Sequence, residues 1–172
     1  MERDDFADRL RSKEVGRTDQ AEALETERRR EAEVSRLILA NARRVFDGME
    51  PLAESLVATA NSTVESKYQL TKAAGGFVLE MGRETAGFSY SQMFANQGPI
   101  SLVVRIQQRP SNLEAFGLAE PSVRSSIETT WRFVPVWNAD SNDVHWRGPG
   151  GTLSGESLLL RRVMEILMDR AD

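Results

Sequence analysis

The chain has 172 residues, 40% of them apolar or aromatic and 28% charged, which is enough for one globular domain with its own core. Its formal net charge of −4 gives no general attraction for nucleic acid or anionic lipid. With no cysteine it has no disulfide, no thiolate nucleophile and no cysteine-based zinc site.

The first ten residues, MERDDFADRL, are charged, no apolar run follows them, and no apolar stretch approaches the length of a bilayer span. The expectation is a cytoplasmic protein that makes no contact with membrane. Charge and aromaticity are unevenly placed. Residues 1–50 hold 24 of the 48 charged side chains (13 acidic, 11 basic) but only two aromatics, Phe6 and Phe46.

Residues 1–17 read as a charged arm, closed by Gly16. A helix is expected over 18–66. Thr18 suits an N-cap, and Asp19 sets a negative charge against the helix N-terminus. Glu25 with Arg29 and Glu33 with Arg36 place opposite charges at helical spacing. The triplet Arg28, Arg29, Arg30 stands among Glu25, Glu27, Glu31 and Glu33, so it reads as a solvated helix face and not as a nucleic-acid site.

Apolar residues then recur at alternating intervals of four and three: Ile38, Ala42, Val45, Met49, Leu52 and Leu56. This is the spacing of a coiled-coil seam, and these six are the candidate interface of a homodimer. Leu39, Phe46, Val57, Ala60 and Val64 broaden the stripe, which is how a helix packs on a sheet or in a bundle. Both uses stay open on the pattern alone. In FDGMEPL, Asp47 and Glu50 have the form of a capping box and Pro51 follows. The apolar register runs through Met49 and Leu52 unshifted, so the expectation is one helix kinked near 47–51.

Beyond residue 66 the period shortens to two. Ile100, Leu102, Val104 and Ile106 alternate with polar or smaller residues, and Ile127, Thr129, Trp131, Phe133, Pro135 and Trp137 fall on one face of a second strand. Pro135 puts that strand at an edge or a bulge. Shorter runs at 77–81, 88–94 and 144–147 add strands, and NADSND at 138–143 is a hairpin turn. Ser111, Glu114 and Gly117 bound one capped turn in the long connection 108–126. Four or five strands in succession with no intervening helix predict an antiparallel meander over 67–148.

GPGGTLSGES at 148–157 contains G-x-x-x-x-G-E-S, one residue from a phosphate-binding loop. Glu156 stands where a lysine would reach the phosphates, and no parallel-strand context surrounds it. The same residues suit a turn and an N-cap at Ser154, with Glu156 in the first turn and Leu153 and Leu158 as a hydrophobic staple. A closing helix over 154–171 carries Leu159, Leu160, Val163, Met164 and Leu167. The fold class is therefore α+β: a long N-terminal helix, a four- to five-stranded antiparallel meander, and a C-terminal helix on the same sheet face. Residues 18–172 are expected to form one domain.

Chemistry is sparse. His145 is the sole histidine, with Asp143 the only nearby carboxylate, so neither a zinc site nor a serine triad can be assembled around it. Arg105, Arg132 and Arg147 lie on the polar sheet face, where sheet-type RNA modules would show aromatics. The sequence thus points to a non-catalytic interaction or assembly protein that has no cofactor, metal or nucleic-acid partner. Its charged helical extension would serve for self-association as a homodimer or for docking on another protein. The second hypothesis is a small-molecule-binding or sensor domain, with a pocket of about 300 Å³ or more between the aromatic sheet face and the long helix.

Overall fold

The computed structural model describes residues 2–63, 65, 67–91, 100–109 and 128–171, with side chains from Lys13 onward. Ile127, the turn bounded by Ser111 and Gly117, and the end of the 88–94 run lie outside the described residues. Contacts divide the chain into two units, Met1–Leu37 and Ile38–Asp172, a division further along than residue 17.

Helix α1 runs Glu2–Asn61 without interruption. It starts well before Thr18 because arginine and glutamate, good helix formers, recur through this stretch and a single Gly16 costs only about 1 kcal/mol. Thr18 is no N-cap; its hydroxyl donates to the Glu14 carbonyl, four residues back (3.0 Å). Pro51 sits inside the same helix, and Asp47, instead of capping a new one, pairs with Arg43 (2.9 Å). Pro51 has no N–H for the Asp47 carbonyl, but both residues are exposed, so water can take that bond. The helix ends at Asn61, short of Ser66, because Asn61 clasps the next element. Its Nδ2 donates to the Tyr68 carbonyl (2.8 Å), and its Oδ1 accepts the Tyr68 N–H (2.7 Å).

In the unit Ile38–Asp172, seven antiparallel strands follow in chain order across one sheet: β1 Tyr68–Ala73, β2 Gly76–Met81, β3 Glu84–Ser91, β4 Ser101–Gln108, β5 Thr129–Asn138, β6 Asp143–Arg147 and β7 Leu153–Ser154. The meander is as expected, but four or five strands become seven. Both additions are edge strands. β1 is polar and mostly exposed, and β7 has two residues, so neither carries a run of alternating apolar side chains. Pro135 occupies a local edge: β4 pairs with β5 only over Thr129–Phe133 by register, whereas β6 pairs over Val134–Asn138.

One sheet face carries the core. Phe77, Leu79, Phe88, Leu102, Val104 and Ile106 are buried there, with Val144 and Trp146 further along. Ala42, Val45, Phe46, Met49 and Ala53 of α1 join the same cluster at the spacing of one helix face. Helix α2, Glu156–Ala171, adds Leu159, Leu160, Val163, Met164 and Leu167. Phe77 stacks on Phe88 (4.6 Å between centroids) and meets Phe46 (6.4 Å), which ties α1 to the sheet. Tyr68 ties β1 to α2 by donating its hydroxyl to the Met164 carbonyl (2.8 Å).

Candidate functional site

The six residues of the seam are placed by this core. Ala42, Val45 and Met49 are buried, and Ile38, Leu52 and Leu56 pack half-buried against the same cluster. Helix α1 therefore packs within its own chain from Ile38 onward. A side chain already covered by its own sheet meets a second chain only if the domain opens, so these positions act first as core.

The unit Met1–Leu37 differs in kind. Every residue from Lys13 to Arg36 is exposed, including Val15 (59%), Leu24 (62%) and Val34. Its side chains interact along the helix: Arg29 pairs with Glu25 (3.1 Å), and the Thr26 hydroxyl donates to the Glu22 carbonyl. Three large apolar side chains over this span are too few for a sustained seam of two per heptad. They stand as isolated apolar points among charges of both signs.

A cleft of about 190 Å³ opens where β5, the turn after β6, β7 and α2 come together. Trp131, Phe133, Pro149 and Leu159 form its apolar walls; Thr152, Ser154 and Arg162 supply polar groups. Gly148 lets the turn close on Phe133, since a Cβ there would fall 2.4 Å from the ring. The next residues form one 3-10 turn, Pro149–Gly151, in which Gly150 and Gly151 take positive φ (77° and 79°). Phe133 is buried, and Trp131 and Trp137 are half-buried against the core, so the aromatic face is mostly covered as its spacing predicts. The cleft lies against α2 instead of the long helix, and it is smaller than the 300 Å³ expected for a pocket under these tryptophans. A wider groove of about 390 Å³ does adjoin α1, between Leu56, Thr59 and Ala60 on one side and Arg161, Met164 and Met168 on the other.

Ser154 does not cap α2. It belongs to β7 and faces Trp146 across the strand pair, and α2 begins at Glu156. The first turn closes one residue later than expected, with the Leu159 N–H donating to the Gly155 carbonyl (3.1 Å). Glu156 does lie in that first turn, where its charge suits the helix N-terminus. His145 is half-buried, between the Ser141 hydroxyl (3.1 Å from Nε2) and the Asn138 amide (3.4 Å from Nδ1), so the hairpin turn itself holds the ring. Arg105 pairs with Glu128 (2.7 Å), and Arg109 forms a two-pronged contact with Glu80, itself nearly buried. Among the described residues no group of three or more histidines and acids could hold a metal ion, and no helix is long and apolar enough to cross a membrane.

Among the described residues three ionisations are displaced. Burial raises the Tyr68 and Tyr90 phenols above their ordinary value, and the hydrogen bond to Glu50 raises the Lys72 ammonium. None belongs to a constellation with a nucleophile and a base. The clasp of Asn61 on Tyr68 and the cleft beside α2 were not legible beforehand. The first joins residues seven apart by one amide. The second needs Trp131, Gly148 and Leu159 brought together from three elements, although G-P-G-G after a strand did mark a tight approach. No protein-family model matches the sequence, and comparisons with curated proteins and with solved structures return no match.

Proposed function

We propose that the protein is a non-catalytic interaction or assembly factor whose charged helical arm, the unit Met1–Leu37, engages a partner, with a second copy of the chain as first candidate. The observation that carries this reading is the arm's exposure. Every described side chain from Lys13 to Arg36 faces solvent, yet the segment is helical throughout. Fixing backbone costs roughly 1–2 kcal/mol per residue, and an isolated helix recovers little of that in water without a face to pack. A partner laid along the arm supplies the missing face, with Val15, Leu24 and Val34 as apolar contacts and the mixed charges setting register. Identical chains are the commonest partners, usually related by a two-fold axis. The same reading keeps the protein in the cytoplasm, where fractionation of the native host would find it.

The test is light scattering at several concentrations on the wild type and on a Leu24→Glu, Val34→Glu double variant. A dimer that the double variant weakens supports the reading. A wild type still monomeric at about 100 μM rules out self-association stronger than about 5.5 kcal/mol. It would leave capture of a different protein by the arm as the form to pursue.

A further inference from the structure

The cleft beside α2 has a chemical character that points to a ligand, independently of what the arm does. Its apolar walls are Trp131 and Phe133 with Leu159 and Pro149. Its polar groups lean towards donation. Arg162 is exposed and brings a guanidinium to the rim. Ser154 is 8% exposed and lines the cleft, and no hydrogen bond joins its hydroxyl to another described residue. Directly across the strand pair from Ser154, on the same sheet face, stands Trp146. It is fully buried, and its indole N–H finds no acceptor among the described residues. A buried donor without an acceptor is uncommon in a folded chain, because it forfeits its bonds to water. Trp146 and Ser154 thus occupy one cross-strand row, and it is Ser154, with Arg162, that lines the cleft.

Size narrows the class further. About 190 Å³ is below the range of pockets for drug-sized molecules, but a cavity of about 150 Å³ accommodates one benzene ring. We propose that this cleft binds a small one-ring aromatic carboxylate, its ring between Trp131 and Leu159 and its carboxylate held by Arg162 and the Ser154 hydroxyl. The carboxylate matches the donors in sign and number, since its two oxygens accept from several N–H and O–H groups at once. The ring matches the apolar walls, Trp131, Phe133, Pro149 and Leu159. An uncharged ring of the same size would fill the walls and leave the donors as they are.

Benzoate is the probe, with benzyl alcohol as its uncharged counterpart. The full-length protein is titrated with each while the three indole N–H signals and the Ser154 amide are followed by NMR. The expected result is a saturable shift at Trp131 and Ser154 with a dissociation constant of about 1 mM for benzoate, and binding at least about tenfold weaker for benzyl alcohol. Arg162→Gln changes an exposed side chain and leaves the fold intact. It should weaken benzoate about tenfold and bring it close to benzyl alcohol. Ser154→Ala should weaken it by a smaller factor. Absence of any saturable shift up to about 20 mM benzoate overturns the proposal. So does saturable binding that Arg162→Gln leaves unchanged, which would mark adventitious contact elsewhere. Neither outcome touches the association of the arm, which is read separately by light scattering.

Discussion

Leu24 and Met49 lie on one helix and are both unbranched-chain or branched apolar residues of similar size, yet Leu24 is 62% exposed and Met49 is fully buried. The arm and the compact unit reach helical structure by different routes. In the arm, local propensity and charges four residues apart hold the backbone, and each contributes a few tenths of a kcal/mol. From Ile38 onward the helix has a sheet to cover, and burying one large aliphatic side chain contributes roughly 1.5–3 kcal/mol. Helical pattern and helical stability are therefore separable. One segment has the first without a packed face, and the other has both.

The largest effect that sharpens this contrast is a charge placed in the covered part of α1. Val45 is 2% exposed and meets the sheet, so Val45→Glu should bury an unpaired carboxylate and cost more than about 4 kcal/mol, enough to unfold a marginal domain. Loss of the cooperative urea transition is the measurement. A variant that folds normally and merely fails to associate would mean that Val45 faces a second chain and that the core assignment is incorrect. Next in size is Trp146→Ala. Trp146 is the largest fully buried side chain, and its removal should cost about 3–5 kcal/mol in the same assay. Gly148→Ala should cost about 1–3 kcal/mol, because its Cβ meets the Phe133 ring and one of the two must move.

How much of this was legible in advance follows the same division. The stripe from Ile38 to Leu56 was visible, but its spacing fits a partner helix and a sheet equally well. Only the position of Phe77, Leu79 and Phe88 decides between them, and no local pattern states that position. The strands with alternating apolar residues were readable because one buried face imposes a period of two. β1 was not, since in YQLTKA only Tyr68 and Leu70 are covered and the other positions are exposed. The turn at 148–151 was recognisable from its glycines, whereas the start of α2 was misplaced by the Ser154 hydroxyl. Serine favours a cap in general, but here strand pairing with Trp146 takes the residue first. The candidate cleft was less readable still, because its walls come from β5, a turn and α2.

A smaller effect tests the link between β1 and α2. Tyr68→Phe removes the hydroxyl that donates to the Met164 carbonyl and should cost about 1 kcal/mol at neutral pH. It should also alter the alkaline limb of stability. Burial raises the Tyr68 pKa above its ordinary value of 10.0, so above that pH the unfolded chain releases this proton while the folded chain retains it. The unfolded state then binds fewer protons, and stability falls as pH rises beyond about 10, with no change from this group below it. In the variant the fall should be shallower, with Tyr90, shifted the same way, accounting for part of what is left. Urea midpoints from pH 8 upward give the comparison, and parallel curves for wild type and variant would contradict the buried placement of Tyr68.

The smallest expected change in stability belongs to the arm and is the most informative about it. Leu24→Glu and Val34→Glu replace exposed side chains in a segment that already carries charges of both signs, so neither should change the unfolding free energy of the compact unit, read from urea curves, by more than about 0.5 kcal/mol. Their effect should fall on association. Loss of an apolar contact at an interface costs binding with no cost to the free chain, so the double variant should dissociate at concentrations where the wild type holds together. Salt gives an independent reading. If the mixed charges around Arg28, Arg29 and Arg30 set the register, raising ionic strength from about 0.05 to 0.5 M should weaken the complex, as screening shortens the reach of exposed charges. An association that the double variant leaves intact would place the contact outside the arm. A destabilised double variant would show instead that Leu24 and Val34 are covered in the free chain, and the contrast between the two parts of α1 would fall.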